Sequence, residues 1–387
     1  MGKNALVITY HVKNCKRKGG FHYFIKYLEE LSYCIDWVTC PVSLSWALCH
    51  NDRENMNNLI GLWKGIHFTE RDAKVYHFAS PVFLPARLAE LLKMKLGRNY
   101  WPKWKRIRKR LKAAYDVILV EGVGCQYAQD LKNNYPDAQI IYRPSDILKT
   151  FSNAPNADML EIAMIKTADR TLCVDENQLA YYKKLIKKDG RLKVLRNPLA
   201  SKENIKIIKS WKPSGSQHKT VIYIGVSFVD LDMIEYAASQ NGIAEFLVIG
   251  PFSRTSHDNI KYLGSLEKKQ YITYLETANV GICPIKSQHE DVFYGYTRKI
   301  IQYMQYLMPI VATCSDNYLN VAGFKVAHGA DEFAKFVGDA LTYTTEDRIQ
   351  LRDGYLKVIE LFLEDKCRNQ FFECLNSKKE EIHRCTK

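Results

Sequence analysis

The sequence predicts an α/β protein built from two doubly wound, Rossmann-like domains and a C-terminal helical segment. Three observations carry that prediction. Short apolar runs alternate with amphipathic helical patterns along most of the chain, the signature of parallel βαβ units. The alternation occurs twice, in two series separated by a polar stretch at 201–219. The 387 residues, 47% of them apolar, are enough to bury two cores.

In chain order, the first series of strand-like runs is Ala5–Thr9, Trp37–Cys40, Val75–Phe78, Val117–Val120, Ile140–Tyr142, Thr171–Val174 and Lys193–Leu195. Between the first two runs, Phe21, Phe24, Ile25, Leu28 and Leu31 fall on one helical face. The pattern then breaks at SKENIKIIKSWKPSGSQHKT, where Pro213, Gly215 and Ser216 lie close together, and this reads as a linker. The second series is Val221–Gly225, Phe246–Gly250, Ile260–Leu263, Val280–Pro284 and Ile310–Ala312, with helices expected near 229–240, 267–278 and 297–308. From about Ala330 the pattern is helical. The expected division is a first domain at 1–200, a linker at 201–219, a second domain at 220–345, and helices at 346–387 that cross back to the first domain.

The formal net charge of +14 calls for an anionic partner. Eleven cysteines, an odd number with no C-x-x-C pair, predict neither a disulfide framework nor a structural metal site and place the chain in a reducing compartment, the cytoplasm. The apolar run Ala5–Tyr10 is too short for a signal-peptide core. No stretch approaches the ~20 apolar residues of a spanning helix, so any membrane contact is expected to be peripheral.

The charge is concentrated. Residues 93–112, KMKLGRNYWPKWKRIRKRLK, hold ten Lys or Arg among twenty and no acid. Tyr100, Trp101 and Trp104 are interleaved with them, and Trp104, Ile107 and Leu111 share a helical stripe among Lys105, Arg106, Arg108, Lys109 and Arg110. An apolar stripe with a cationic surround suits an anionic membrane surface. It is also what a solvated helix packed on a core looks like. Nucleic acid is not expected, since the rest of the chain is near neutral and carries no recognised binding motif.

Four segments are candidates for chemistry. The turn after the first strand carries His11 and a basic loop leading to Gly19 and Gly20, where backbone and helix N-terminus can meet an anion; it is not the G-x-G-x-x-G of dinucleotide sites. IIYRPSDILKT places Arg143, Ser145 and Asp146 beyond the carboxyl end of a buried strand, where ligands of doubly wound sheets bind. Asp146 there is either a general base or a helix cap. TVIYIGVSFVD puts Gly225 and Ser227 between a strand and a helix, a place that can admit a diphosphate. In GICPIKSQHEDVFYGYTRKIIQYMQYLMPIVAT, Arg298 and Lys299 stand in a helix's first turn, where cations oppose the macrodipole unless an anion offsets them. Gln302 lies one turn further on.

In the order and spacing of these segments the chain resembles the GT-B glycosyltransferases, and most closely the GumK-type inverting glucuronosyltransferases of xanthan assembly. The resemblance covers most of residues 5–313 and is strongest in VILVEGVGCQYAQDLKNNYPDAQIIYRPSDIL, KYLGSLEKKQYITYLETANVGICP and RKIIQY. It implies two facing Rossmann-like domains and a metal-independent, cofactor-free, inverting transfer. The sugar, glucuronic acid as first choice, would pass from a UDP-sugar to a polyprenyl-diphosphate-linked oligosaccharide on the inner leaflet, in exopolysaccharide or capsule biosynthesis. It implies Asp146 as base; His11, Gly19, Gly20 and Arg143, from the loops of the same domain, are expected on the acceptor side. It implies Lys299 and Gln302 as nucleotide ligands, with Gly225, Ser227, Gly264 and Leu266 around the donor; Tyr294 and Arg298, side chains in which the chain differs from the family, are expected beside the donor sugar. No D-x-D string is read as a metal site. The chain departs from the family at Gly264-Ser265-Leu266, where the family has Gly-Glu-Met, and in a loop before Lys299 that is one residue shorter. A UDP-sugar 2-epimerase of the same fold, or a non-catalytic basic protein binding lipid or polysaccharide, are the alternatives; the first leaves the 93–112 cluster without a purpose, the second the ordered second-domain segments.

Overall fold

The computed structural model describes residues 2–9, 11, 20–39, 68–70, 73–77, 104–148, 157–186, 190–213, 218–225, 229–256, 258–286, 297–313 and 320–385. The chain divides into two units, one of residues 1–197 with 368–387, the other of residues 198–367.

The first unit is built on an eight-stranded sheet: β1 Asn4–Thr9, β2 Cys34–Thr39, β3 Phe68–Glu70, β4 Ala73–His77, β5 Val117–Val120, β6 Gln139–Tyr142, β7 Arg170–Cys173 and β8 Leu192–Val194. Their order is β3-β4-β2-β1-β5-β6-β7-β8, parallel throughout except for the β3–β4 pair. The central strands are apolar on both faces, and their period of two divides them cleanly. Leu6, Ile8, Ile118, Val120, Ile140 and Tyr142 join one buried cluster. Ala5, Val7, Val117, Leu119 and Ile141 join the other. Helix α1, Gly20–Glu30, covers the second face with Phe21, Phe24, Ile25, Tyr27 and Leu28. The first face is covered by α2 Trp104–Arg108, a 3-10 helix at Gly122–Tyr127, α3 Ala128–Asn134, α4 Ala157–Thr167 and α5 Glu176–Leu185.

The second unit has a six-stranded parallel sheet in the order β11-β10-β9-β12-β13-β14. Its strands are β9 Lys219–Ile224, β10 Ala244–Ile249, β11 Ile260–Gly264, β12 Val280–Cys283, β13 Ile310–Ala312 and β14 Phe324–Val326. Helices α6 Lys202–Ser210, α7 Leu231–Gln240, α8 Lys268–Thr277, α9 Arg298–Gln305, α10 Ala330–Leu341, α11 Thr345–Gln350 and α12 Arg352–Glu360 surround it. Ile300, Ile301 and Met304 of α9 enter one face's cluster, and Ile234 of α7 with Phe333 and Val337 of α10 the other's.

The structure differs from the sequence reading in three respects. The polar stretch 201–219 contains α6, with Ile208 fully buried and Ile205, Ile207 and Trp211 packed on the second unit's core. Its three isoleucines turn one broad side of the helix to the core, which the surrounding lysines conceal in composition. Strands β3 and β14 were not foreseen, each being three residues long. The final helix, α13 Glu364–Cys385, returns from Arg368 onward to the first unit alone. There Phe371, Cys374 and Leu375 join the cluster of Phe24 and Tyr27, and Arg368 lies 3.8 Å from Glu30. No helix of the described residues is long and apolar enough to cross a membrane.

Candidate active site

In the first unit, β1, β5 and β6 are neighbours in the sheet, and their carboxyl ends bring Thr9, His11, Glu121, Arg143, Ser145 and Asp146 into one polar group. Glu121 follows β5 and is fully buried. Its Oε2 accepts a hydrogen bond from Thr9 and its Oε1 one from Ser145. His11 Nε2 stands 3.4 Å from the same Oε1. His11 is held in turn by its backbone: its N–H donates to the Thr9 hydroxyl (3.0 Å), and its carbonyl accepts from Trp37 and Thr39, each at 3.1 Å.

Arg143 is buried, its guanidinium 4.9 Å from the Phe24 ring centre, and it donates to Asn197 Oδ1 at 2.7 Å and to the Pro144 carbonyl. It therefore braces the turn from within. Gly20 is explained by the same bracing, because a β-carbon there would collide with the Asn197 amide. The glycine makes room for a side chain of the protein rather than opening the backbone to a ligand.

Asp146 is exposed by surface area, though protein crowds it closely. That loss of solvent, and then the charge of Glu121, push its carboxyl above the ordinary range, against opposite pulls from His11 and Arg143. A carboxylate so placed is a better proton acceptor than a free one. The cap reading of Asp146 involves the amides of residues 148 and 149; that of Leu148 donates to Glu161, and residue 149 lies outside the described residues. Beneath this turn a second carboxylate, Glu161 of α4, is fully buried. It accepts from the Tyr142 and Tyr182 hydroxyls at 2.6 Å each and, at longer range, from the Leu148 amide at 3.3 Å. Burial raises it to about 6.

In the second unit, Gly225 ends β9, its N–H donating to Ile249 (3.0 Å), and Gly250 N–H donates to Gly264 (2.9 Å). Gly264 has φ +68, a left-handed conformation that favours glycine, and open space at its β-position. Leu266 packs on the core. Lys299, in the first turn of α9, donates to the Tyr223 hydroxyl (3.2 Å), its ammonium 4.4 Å from the ring centre. A β-carbon at Gly225 would strike Tyr223 and touch that ammonium, so the glycine seats the lysine head above the end of β9. Arg298 is exposed, and the first turn of α9 contains no acid. Gln302 donates to the Tyr271 hydroxyl at 3.0 Å. The Thr297 hydroxyl at the helix start has no hydrogen-bond partner among the described residues.

The chain does contain an Asp-x-Asp string, Asp230-Leu231-Asp232, which the sequence reading passed over. Both carboxylates are committed elsewhere: Asp230 caps α7 by accepting from Met233 N (3.0 Å), and Asp232 pairs with Arg254 at 2.5 Å.

The basic segment requires a correction. Trp104, Ile107 and Leu111 are buried in the first unit's core, with Trp104 5.4 Å from the Tyr127 ring and 6.3 Å from Tyr135. The stripe covers apolar surface of the protein itself, so Trp104 is not available to a membrane. Lys105, Lys109 and Arg110 are exposed, while Arg108 lies 5.1 Å from the Tyr135 ring centre. Gly19, Tyr100, Trp101, Ser227 and Tyr294, and the side chain of Arg106, lie outside the described residues.

Thr9, Glu121, Glu161 and Tyr223 were not singled out from the sequence. A signal existed for Glu121: an acid directly after the apolar run Val117–Val120, at the end of a central strand.

Residues 7–174 match the family model described as glucuronosyltransferase GumK, N-terminal domain. Among solved structures, sucrose-phosphate synthase from Thermosynechococcus elongatus is 12% identical with a TM-score of 0.66, covering 98% of this chain and 100% of its own. An E. coli structure described as trehalose-6-phosphate bound with UDP-2-fluoro glucose is 12% identical with a TM-score of 0.63, covering 96% and 99%. A trehalose-6-phosphate synthase structure concerned with glycosyltransfer with retention is 13% identical with a TM-score of 0.62, covering 96% and 99%. No curated protein matches the chain.

Proposed function

We propose that this chain, whose residues 7–174 match the GumK N-terminal domain model and whose fold is like that of sucrose-phosphate synthase, is a GT-B glycosyltransferase that transfers a sugar with inversion from a UDP-sugar to a lipid-linked glycan. The observation that carries the reading is Asp146. It is a solvent-facing carboxylate with raised proton affinity, at the carboxyl ends of central strands and beside the charge of Glu121.

In the proposed step Asp146 takes the proton of an acceptor hydroxyl as its oxygen bonds to the anomeric carbon. The bond from that carbon to the UDP oxygen breaks, and UDP leaves with the electron pair. The charge it gains falls to Lys299, Arg298, the amides near Gly225 and the start of α9. We propose that no metal takes part, with Asp230 and Asp232 engaged within the protein. Glucuronic acid is the donor sugar proposed first, because exposed Arg298 suits its carboxylate. The lipid-linked acceptor and a peripheral place at the inner face of the membrane are supported by exposed Lys105, Lys109 and Arg110, cations attracted to anionic lipid.

The test is Asp146→Asn, assayed with lipid-linked acceptors in anionic vesicles. Transfer should fall by at least ~10³-fold, in line with loss of an essential base, while UDP binding, assigned to the other unit, is kept. Wild-type turnover in this variant removes Asp146 from the mechanism. Fold likeness to a retaining enzyme makes the product's stereochemistry a separate check: NMR of the first-formed product should give the inverted anomer.

A further inference from the structure

Glu121 has no part in the step described above, yet it organises the group around it. A fully buried carboxylate is unfavourable unless it is hydrogen-bonded and paired. Glu121 meets that requirement with Thr9 from the end of β1, Ser145 from the turn after β6, and His11 at 3.4 Å. Its own N–H donates to Ile8 at 2.9 Å, and Arg143 N–H donates to Val120 at 2.8 Å. Three strand ends are thereby fastened around one negative charge. Ser145 immediately precedes Asp146, so fixing the serine hydroxyl fixes the backbone from which the aspartate projects.

We propose that Glu121 is a positioning residue for the transfer, tying the Asp146 turn to the end of β1 through Ser145 and Thr9 and holding His11 beside it. The inference rests on the reading of Asp146 as base. Packing alone does not call for a charge here, since an apolar residue would fill the space without desolvation cost. The charge has a second effect, because it disfavours ionisation of Asp146. Among the described residues, the charged groups acting on Asp146 are Glu121 after β5, His11 after β1 and Arg143 after β6; of these, Glu121 raises its proton affinity and the other two lower it.

Two variants separate the tie from the charge, with Asp146→Asn as the reference for the base itself. Transfer kinetics are measured from acid to neutral pH, alongside a thermal unfolding curve for each protein. Ser145→Ala cuts the tie and keeps the charge. It should lower kcat roughly 10- to 100-fold, the size of effect expected from loosening a reacting group, with donor KM and the acidic limb of the pH profile in place. Glu121→Gln cannot accept from both hydroxyls and carries no charge. It should lower kcat similarly and move the acidic limb to lower pH, because a carboxylate relieved of a negative neighbour ionises more readily.

Glu121→Gln with wild-type kcat, or with reduced kcat and an unmoved limb, overturns the proposal; the latter marks a structural strut only. If Glu121→Gln loses its cooperative unfolding transition, Ser145→Ala decides, and wild-type kcat there overturns it. Wild-type turnover by Asp146→Asn is a different failure: it removes the base reading whatever the Glu121 variant does.

Discussion

At the scale of single residues, the first unit carries two buried carboxylates with opposite surroundings. Glu121 is met by hydroxyls and a histidine. Glu161 is met by two phenols and an amide in an otherwise apolar core, and burial lifts it from 4.5 to about 6. The folded protein therefore holds a proton there between those values that the unfolded chain has released. The contribution of Glu161 to stability is fully present below pH 4.5 and is lost as pH rises through 6, a change of about 2 kcal/mol. Glu161→Gln should remove that slope. Urea unfolding of both proteins at pH 4.5 and 7 checks it, the difference between the two proteins' slopes being the readout.

Residues of this kind were the least legible in the sequence. Asp146 could be singled out because it follows a strand end in a polar turn. Glu161 could not, since it lies within ADMLEIAMIKT and looks like the solvent side of an amphipathic helix. Its burial is decided by Tyr142 and Tyr182, which approach from other elements. Gly20 and Gly225 were legible as places needing a small residue, but the reason is the close approach of Asn197 in one case and of Tyr223 and Lys299 in the other. A glycine in a sequence reports that space is taken without saying by what.

At the scale of elements, the strands were read from buried apolar runs, and those runs are faithful where both faces of a sheet are covered. Helices were read less well where composition and pattern disagreed, as in α6. Trp104 gives the converse case: its stripe was correctly periodic, but periodicity does not distinguish a lipid surface from the protein's own core.

Helix ends supply a further element-scale feature. Arg348 is buried and donates to Leu307 (3.0 Å), Tyr306 (2.9 Å) and Ala278 (3.2 Å), the carbonyls that close α9 and α8. Desolvation lowers it to about 10, so it stays cationic at neutral pH, where it complements two helix C-termini. Arg348→Met should leave those carbonyls buried and unmet, costing the second unit about 3 kcal/mol. A shift of the urea midpoint without a change of slope checks this. Lys should not rescue it, because one ammonium cannot reproduce the planar fork.

At the scale of the whole molecule, the residues proposed for the base and for the donor belong to different units. Their responses to ligand are therefore separable. UDP at a hundredfold excess over Kd should stabilise the second unit by ~2.7 kcal/mol. Hydrogen exchange should register that protection around β9 and α9 before it registers any around β1, β5 and β6. Equal protection of both sets at once would argue against placing the nucleotide on the second unit.

The return of α13 to the first unit sets an order of events during synthesis. Phe24 and Tyr27 leave the ribosome early, but Phe371, which packs 5.3 Å from Phe24, emerges only after all of residues 198–367. The nascent first unit must wait with that aromatic patch uncovered while its neighbour is being made. The interval exposes it to aggregation and gives chaperones their opportunity, and it closes only when the final helix docks.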